Sequence, residues 1–320
     1  MNTTSPYELA SHTTFARVFR SGKLTLGFIM PLEAYPDGPL PTLADHVERV
    51  QQVEEAGFAA LWLRDIPLLD PHFGDAGQAL DPFVYMGFLS AITSRIAIGT
   101  AGVVLPLRDP LILAKQATSA DYLSGGRLLL GLSSGDRASE YPAFGVEFET
   151  RAERFRDAFD VLGVATRQAF PSHQSKYYGL LSGALDLIPK PTSGHIPFIA
   201  IGRSGQELEW LAANTDALIS YGGDARRLSE LAARWREFYP DQISKPFGYG
   251  TMFDLLDDPH APLQQGPVLR IGRHALIDVL QRNQAEGIAH VMLNMKPCRR
   301  PAVAVIDELA EFVLPFFPTP

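Results

Sequence analysis

Three short stretches place reactive residue types at spacings that chemistry uses. The first is GLSSGDR, Gly131 to Arg137, which fits G-x-S-x-G with Ser133 as the nucleophile. That motif needs a sharp strand-to-helix turn and a later acid and histidine, for which Asp216 and His290 are available. Here the chain continues as DRASEYPAFG, a loop, and the next helix opens only near Thr150, so a serine hydrolase is the minor reading. The bland alternative is a small-residue turn at a strand end. The second stretch is AIGRSGQELEWLA, in which a strand ends at Gly202 and a helix starts with Ser204 and Glu207 as its capping box. The free N–H groups of such a first turn attract an anion, Arg203 adds a positive charge, and Gly202 and Gly205 allow close approach. An ordinary capped helix would read the same way. The third is LWLRDIPLLDPHFGD, where Arg64, Asp65 and His72 follow a strand; a surface Arg–Asp pair is the plain alternative.

Other chemistries lack a motif. No G-x-G-x-x-G follows a strand, so a Rossmann site is unsupported. No H-E-x-x-H occurs, the histidines are scattered, and His12, His46 and His260 read as surface residues, so no metal site is expected. Cys298 is the single cysteine, which excludes an intrachain disulfide and a cysteine zinc cluster.

The elements that must position these residues alternate along the chain. Short apolar strands are expected at 24–30, 59–64, 96–106, 127–132, 197–202, 216–221, near 247–256 and at 289–294. Helices are expected between them: from about Thr42, with Asp45 at cap spacing and Gly57 as the stop; from Asp81-Pro82; from Asp109-Pro110 to Gly125-Gly126; from a Thr150/Glu153 capping box; from Ser204; from Asp224; and finally toward Phe316. Trp62 and Trp210 read as core or rim packing. Strands that are apolar throughout suit a parallel sheet covered on both faces. Eight of them, nearly all followed by a helix, predict an α/β fold of the (β/α)8 TIM-barrel type, with a doubly wound open sheet as the runner-up. The barrel domain runs over 24–320, after an N-terminal extension of 1–23 and with a loop-rich insertion at 173–196 before the fifth strand. In a barrel, chemistry belongs at the C-terminal ends of the strands.

The composition bounds the rest. The chain has 320 residues, 46% of them hydrophobic, and a formal net charge of −8. That acidity argues against nucleic acid or an anionic membrane as the main partner. The N-terminus lacks the apolar region of a secretory signal and no run is long enough to span a membrane, so a cytoplasmic protein is expected.

Three stretches together resemble the luciferase-like flavin monooxygenase family: EEAGFAALWLRD, the long SRIAIGTAGVVLPLRDPLILAKQATSADYLSGGRLLLGLSSG, and FIAIGRSGQELEWLAANTDALISY. The resemblance implies a TIM barrel in which reduced FMN and dioxygen oxidise a small organic substrate. Electrons would come from a nicotinamide cofactor, directly or through a flavin reductase. It implies that the flavin ring lies against the end of the third strand, at Thr100, Ala101 and Gly102, where the family often has a non-prolyl cis peptide. By the same match Ser133 and Ser134 would line the ring or ribityl chain, and Gly202, Arg203, Ser204 and Gln206 would hold the 5′-phosphate. A homodimer through the helices at 42–56 and 82–93 is a further carry-over. The chain departs from the bacterial luciferases in three places: Asp65-Ile66-Pro67 replaces Glu-His-His, Ser133-Ser134 replaces Cys-Arg, and Arg108-Asp109-Pro110 replaces the usual His-Pro. The family's catalytic histidine is therefore missing, and Asp65 with Arg64 are the positional candidates for a proton-transfer role. The rival readings are a flavin-binding protein with little or no catalysis and a deazaflavin-dependent reductase.

Overall fold

The computed structural model describes residues 12–222, 225–239 and 245–319. Eight parallel strands close into a barrel: β1 (Thr25–Ile29), β2 (Ala60–Leu63), β3 (Ala97–Thr100) with its continuation β4 (Val103–Val104), β5 (Leu128–Ser133), β8 (Phe198–Ile201), β9 (Ala217–Tyr221), β10 (Phe247–Leu255) and β12 (Ile288–Asn294). Closure joins the first strand to the last, in register from Thr25 opposite His290 to Ile29 opposite Asn294, and this removes the open-sheet alternative. Two features were not anticipated: a hairpin of β6 (Ser172–Gln174) and β7 (Leu180–Ser182) inside the insertion, and β11 (Val268–Ile271), parallel to the end of β10.

The described helices are α1 (Thr13–Val18), α2 (His46–Ala56), α3 (Pro82–Ile92), α4 (Pro110–Ser124), α5 (Arg151–Arg167), α6 (Leu208–Asn214), α7 (Ala225–Arg236), α8 (Arg273–Ala285) and α9 (Ala302–Glu308). The Asp-Pro starts form as read: Asp81 accepts from the N–H groups of Phe83 and Val84, and Asp109 from those of Leu111 and Ile112. Three other starts differ. α2 begins at His46, not Thr42, because Thr42 is held by the Glu33 carboxylate and Asp45 has a left-handed backbone with no capping bond. The Thr150/Glu153 box does not form, since Thr150 donates to the Glu147 carbonyl and Glu153 turns to Lys176 and Tyr177. The Ser204/Glu207 box does not form either, as α6 starts only at Leu208. Asp224, read as a helix start, lies outside the described residues, as do the first eleven residues of the N-terminal extension.

Alternation along each strand sorts side chains into two cores. Outward residues such as Leu61, Ile98, Leu130 and Phe198 pack under the helices. Inward residues such as Trp62, Leu129, Ile199, Ile219 and Met292 fill the barrel. The small residues of β3 answer to this filling. A Cβ at Gly99 would lie 2.4 Å from the Trp62 ring, and one at Gly131 would lie 1.8 Å from the Thr100 carbonyl oxygen. At the N-terminal end of the barrel, α1 sends Phe15, Val18 and Phe19 into the same interior cluster. The extension thus supplies a plug. His12, expected at the surface, is buried there and accepts the Phe15 N–H.

Candidate active site

The C-terminal ends of the strands carry the polar residues. Connections on the N-terminal side are tight turns, such as Gly57 and Gly125-Gly126, whereas the segments after β2 and β5 run long before the next helix. Continuing the inward alternation past each strand brings Arg64, Ala101, Ser133, Ile201, Tyr221 and Asn294 to the rim of one mouth.

Its floor is the end of the third strand. The Ala101–Gly102 peptide is cis, as the family resemblance anticipates. Ala101 is half-buried and packs with Ile201 on the interior cluster. Gly102 is small for a local reason: a Cβ there would lie 2.7 Å from the Ile201 side chain and 3.2 Å from the Gly131 backbone. Ser133 Oγ donates to the Gly102 and Val103 carbonyls, at 3.2 and 3.3 Å, and ties the bulge to the fourth barrel strand. Ser134 is buried beside it, and its carbonyl accepts the Tyr141 hydroxyl. Thr100 is fully buried and donates to the Gly131 carbonyl at 2.7 Å, so its hydroxyl is a strand-to-strand tie and not a free donor at the rim.

Asp65 and Arg64 sit side by side but belong to separate ion pairs. Asp65 Oδ2 accepts from the Val104 N–H at 3.0 Å and Arg108 Nε at 2.9 Å, while Oδ1 accepts Arg108 Nη2 at 2.6 Å. Arg108 also reaches Asp81 at 3.0 Å. Both Asp65 oxygens are therefore committed, and the residue positions the backbone that follows the bulge. Arg64 donates to both oxygens of Asp75, at 2.5 and 3.2 Å, and to the Tyr35 hydroxyl. Burial would raise the Asp75 carboxyl, but the Arg64 guanidinium and the Gly77 N–H hold it below its ordinary value. Arg64 Nε is buried without a partner among the described residues. His72 is exposed and pairs with Asp70, away from this network.

On the other side of the floor the chain turns sharply through residues 202–206. Gly202, Ser204 and Gly205 have φ of 67°, 51° and 71°, and the Gln206 N–H closes the turn on the Arg203 carbonyl at 2.8 Å. The N–H groups of Ser204 and Gly205 meet no backbone acceptor among the described residues. Ser204 Oγ is buried and has no partner among the described residues. Gln206 is fully used: it donates to the Ala152 and Ser204 carbonyls and accepts from Arg156, which pins the turn against α5. Arg203 folds back on Gln206 O and Glu207. α6 has seven residues and begins beyond this turn, so donors here come from the turn itself rather than from a helix start.

Sequence reading missed Tyr221, Asn294, Tyr35 and Lys296. Tyr221 and Asn294 end the sixth and eighth barrel strands, so the barrel reading alone could have found them. Gly250 makes room for the Tyr221 ring, to which a Cβ would come within 3.1 Å.

The hydrolase constellation is not assembled. Asp216 binds His195 and the Phe198 N–H, and His290 lies inside the barrel opposite the first residue of β1, far down the strands from Ser133. Trp62 Nε1 donates to His290 Nε2 at 2.9 Å. Thr25 Oγ1 gives its proton to the Val18 carbonyl and so accepts from His290 Nδ1 at 2.7 Å. These partners fit only the neutral ring, and full burial pushes the His290 pKa down to about 3. Among the described residues no group of three or more His, Cys, Asp or Glu is placed to hold a metal ion, and no helix is long and apolar enough to cross a membrane.

A closed parallel barrel with its polar residues gathered at one mouth is the TIM-barrel class. Within it, the chain belongs to the luciferase-like monooxygenase family, whose sequence pattern matches residues 24–244. A 4-hydroxyprotoasukamycin monooxygenase of Streptomyces nodosus subsp. asukaensis is 24% identical over 213 residues, which cover 65% of this chain and 56% of that relative. An uncharacterized protein of Sinorhizobium fredii is 28% identical over 160 residues, covering 49% of this chain and 44% of its own. The chain thus spans about half the length of the curated relatives it matches. The fold superposes on a monooxygenase from Streptomyces bottropensis with a TM-score of 0.74 at 14% identity, over 91% of this chain and 99% of that one. It superposes on an F420-dependent secondary alcohol dehydrogenase, seen with an F420–acetone adduct, with a TM-score of 0.73 at 19% identity, over 92% and 99%. A riboflavin lyase seen with modified FMN gives 0.70 at 15% identity, over 92% and 91%.

Proposed function

We propose that the protein is an FMN-dependent monooxygenase that oxidises a small organic substrate at the barrel mouth. One observation carries this reading: the buried, unpartnered Ser204 hydroxyl stands beside two open N–H groups in a turn at the end of the fifth barrel strand. A buried polar atom without a partner costs free energy in the free protein, and a phosphate oxygen would satisfy it. The residues present therefore fit a flavin phosphate at Gly202–Gln206, with Ala101 and Ser133 under the ring. When bound in its reduced form, FMN supplies the activation of dioxygen.

The chain's own residues do the rest. Asp65 and Arg108 hold the Val104 backbone and so fix the floor. Tyr221, about half exposed at the rim, presents a phenolic hydroxyl able to donate or accept a hydrogen bond from substrate. Arg64 keeps a fixed positive charge beneath the rim, paired with Asp75. A nicotinamide-linked flavin reductase and a cytoplasmic setting complete the reading. We infer a homodimer as well, supported by an apolar face on α3 and α4 that includes Val84, Phe88 and Ile112, with Val84 76% and Ile112 61% exposed.

Titration with FMN, riboflavin and coenzyme F420, in oxidised and reduced forms, tests the cofactor. Tighter binding of FMN than of riboflavin, lost in Ser204→Ala, is expected. Preference for F420, with hydride transfer and no oxygen uptake, would favour the deazaflavin reading. No binding of any of the three would leave a barrel without a flavin function.

A further inference from the structure

At the rim, β10, β11 and the segment after β12 border an open cleft of about 670 Å3. Its polar lining is Arg270, Arg299, Lys296 and Asp37. Beneath it Asp254 is buried at 1% exposure and accepts Arg270 Nε at 2.7 Å, with Arg299 Nε 3.9 Å away. Only the Nε edge of Arg270 is used in this way, so its two terminal amino groups are left with no protein acceptor among the described residues. Lys296 donates to the Tyr35 and Gly38 carbonyls and lies 4.4 Å over the Tyr35 ring. Three cations face two carboxylates, Asp254 and Asp37, so one positive charge stays uncompensated. This stands out on a chain of net charge −8. A chain of contacts links the cavity to the mouth: Lys296 lies over the Tyr35 ring, and the Tyr35 hydroxyl and Arg64 share Asp75.

We propose that this cavity binds an oxyanion, a carboxylate carried by the small molecule that the mouth accepts, which makes organic acids the substrate class. Two guanidinium edges match a carboxylate's paired oxygens, and one uncompensated charge matches a monoanion better than a phosphate ester, which carries close to two. The anion site stands on its own geometry; only the word substrate rests on the function proposed above.

The test uses the full-length protein, calorimetric titration at low salt, and two probes of the same shape, benzoate and neutral benzamide. Benzoate is expected to bind and benzamide is not. Arg299→Gln weakens benzoate about tenfold and leaves FMN affinity unchanged. Arg299 is chosen because it is 69% exposed and its loss leaves Asp254 paired with Arg270. Arg270→Lys keeps the charge but loses the fork, and falls in between. Failure of benzoate to bind, equal binding of the two probes, or indifference to Arg299→Gln overturns the site. Inorganic phosphate binding more tightly than benzoate, with the same Arg299 dependence, overturns the carboxylate assignment and moves the anion to a phosphate ester. Intact benzoate binding with no FMN binding strikes the flavin reading alone.

Discussion

The barrel holds two polar networks built in opposite ways. Around His290 every hydrogen bond is complete: Trp62 gives, Thr25 accepts and passes its own proton to Val18, and no water or ligand is needed. Around the mouth, buried atoms at Ser204 and Arg64 have no protein partner, and cations at Arg270 and Arg299 are only half used. A complete network fixes one structure, whereas an incomplete one keeps free energy in reserve for whatever arrives. The contrast separates a closed network around His290, inside the barrel, from open groups at Ser204 and Arg64 around its mouth.

Substitutions can break or sharpen that contrast. The largest effect is expected inside the barrel at Gly131→Ala, whose Cβ meets the Thr100 carbonyl; a loss of about 3 kcal/mol, read by chemical denaturation, follows from overpacking against backbone. His290→Leu strands the Trp62 N–H and costs about 2 kcal/mol at pH 7. Its pH signature is sharper. The folded-state pKa is depressed to about 3 from 6.5, so the unfolded chain takes up a proton that the folded chain refuses. Stability is complete above pH 6.5 and falls as pH drops toward 3, by about 1.4 kcal/mol per unit, in urea titrations of the wild type. The Leu variant should lack that slope.

At the mouth the order of effects reverses. Asp65→Asn removes the more buried of the two charge partners of Arg108, leaving Asp81, and should cost about 1 kcal/mol of stability, with a larger proportional loss in FMN affinity as the floor loosens. Ser204→Ala should leave the melting temperature unchanged or raise it, while weakening FMN and sparing riboflavin. A Ser204→Ala protein that melts lower but binds FMN normally would show that the turn belongs with the closed network after all.

The sequence made the barrel legible because apolar strands alternate with Asp-Pro and Gly punctuation, which are local signals. Asp81, Asp109, Gly57 and Gly125 all act where they were read. The capping box at Thr150 failed because a distant residue, Lys176, takes the Glu153 carboxylate, and the one at Ser204 failed because the chain turns through left-handed backbone at Ser204 and Gly205 and the helix starts only at Leu208. The same limit applies to the site. Arg64, Asp65 and Ser204 were named from their place at strand ends and Ala101 from the resemblance, yet the surroundings of Arg64, Asp65 and the turn at Ser204 depend on Asp75, Arg108 and α5, which no spacing rule connects to them. The resemblance places a flavin ring against Gly102, and in the structure the side chain nearest to a Cβ there is Ile201. The cavity beside β11 was not foreseen because that strand has only 4 residues and follows a segment, 257–267, rich in Asp, Pro and Gly, which reads as loop.

The joint between α1, Thr25 and His290 also carries a kinetic meaning. Thr25 and His290 are separated by 265 positions along the chain, and Phe19 packs on the same ring at 5.7 Å. Contacts of such separation form only after the intervening chain has been brought together, at a high loop-closure cost. The barrel is therefore expected to zip from neighbouring β–α units and to lock last where its beginning meets its end. The plug helix is expected to act there as the latch, its release limiting how fast the finished molecule comes apart.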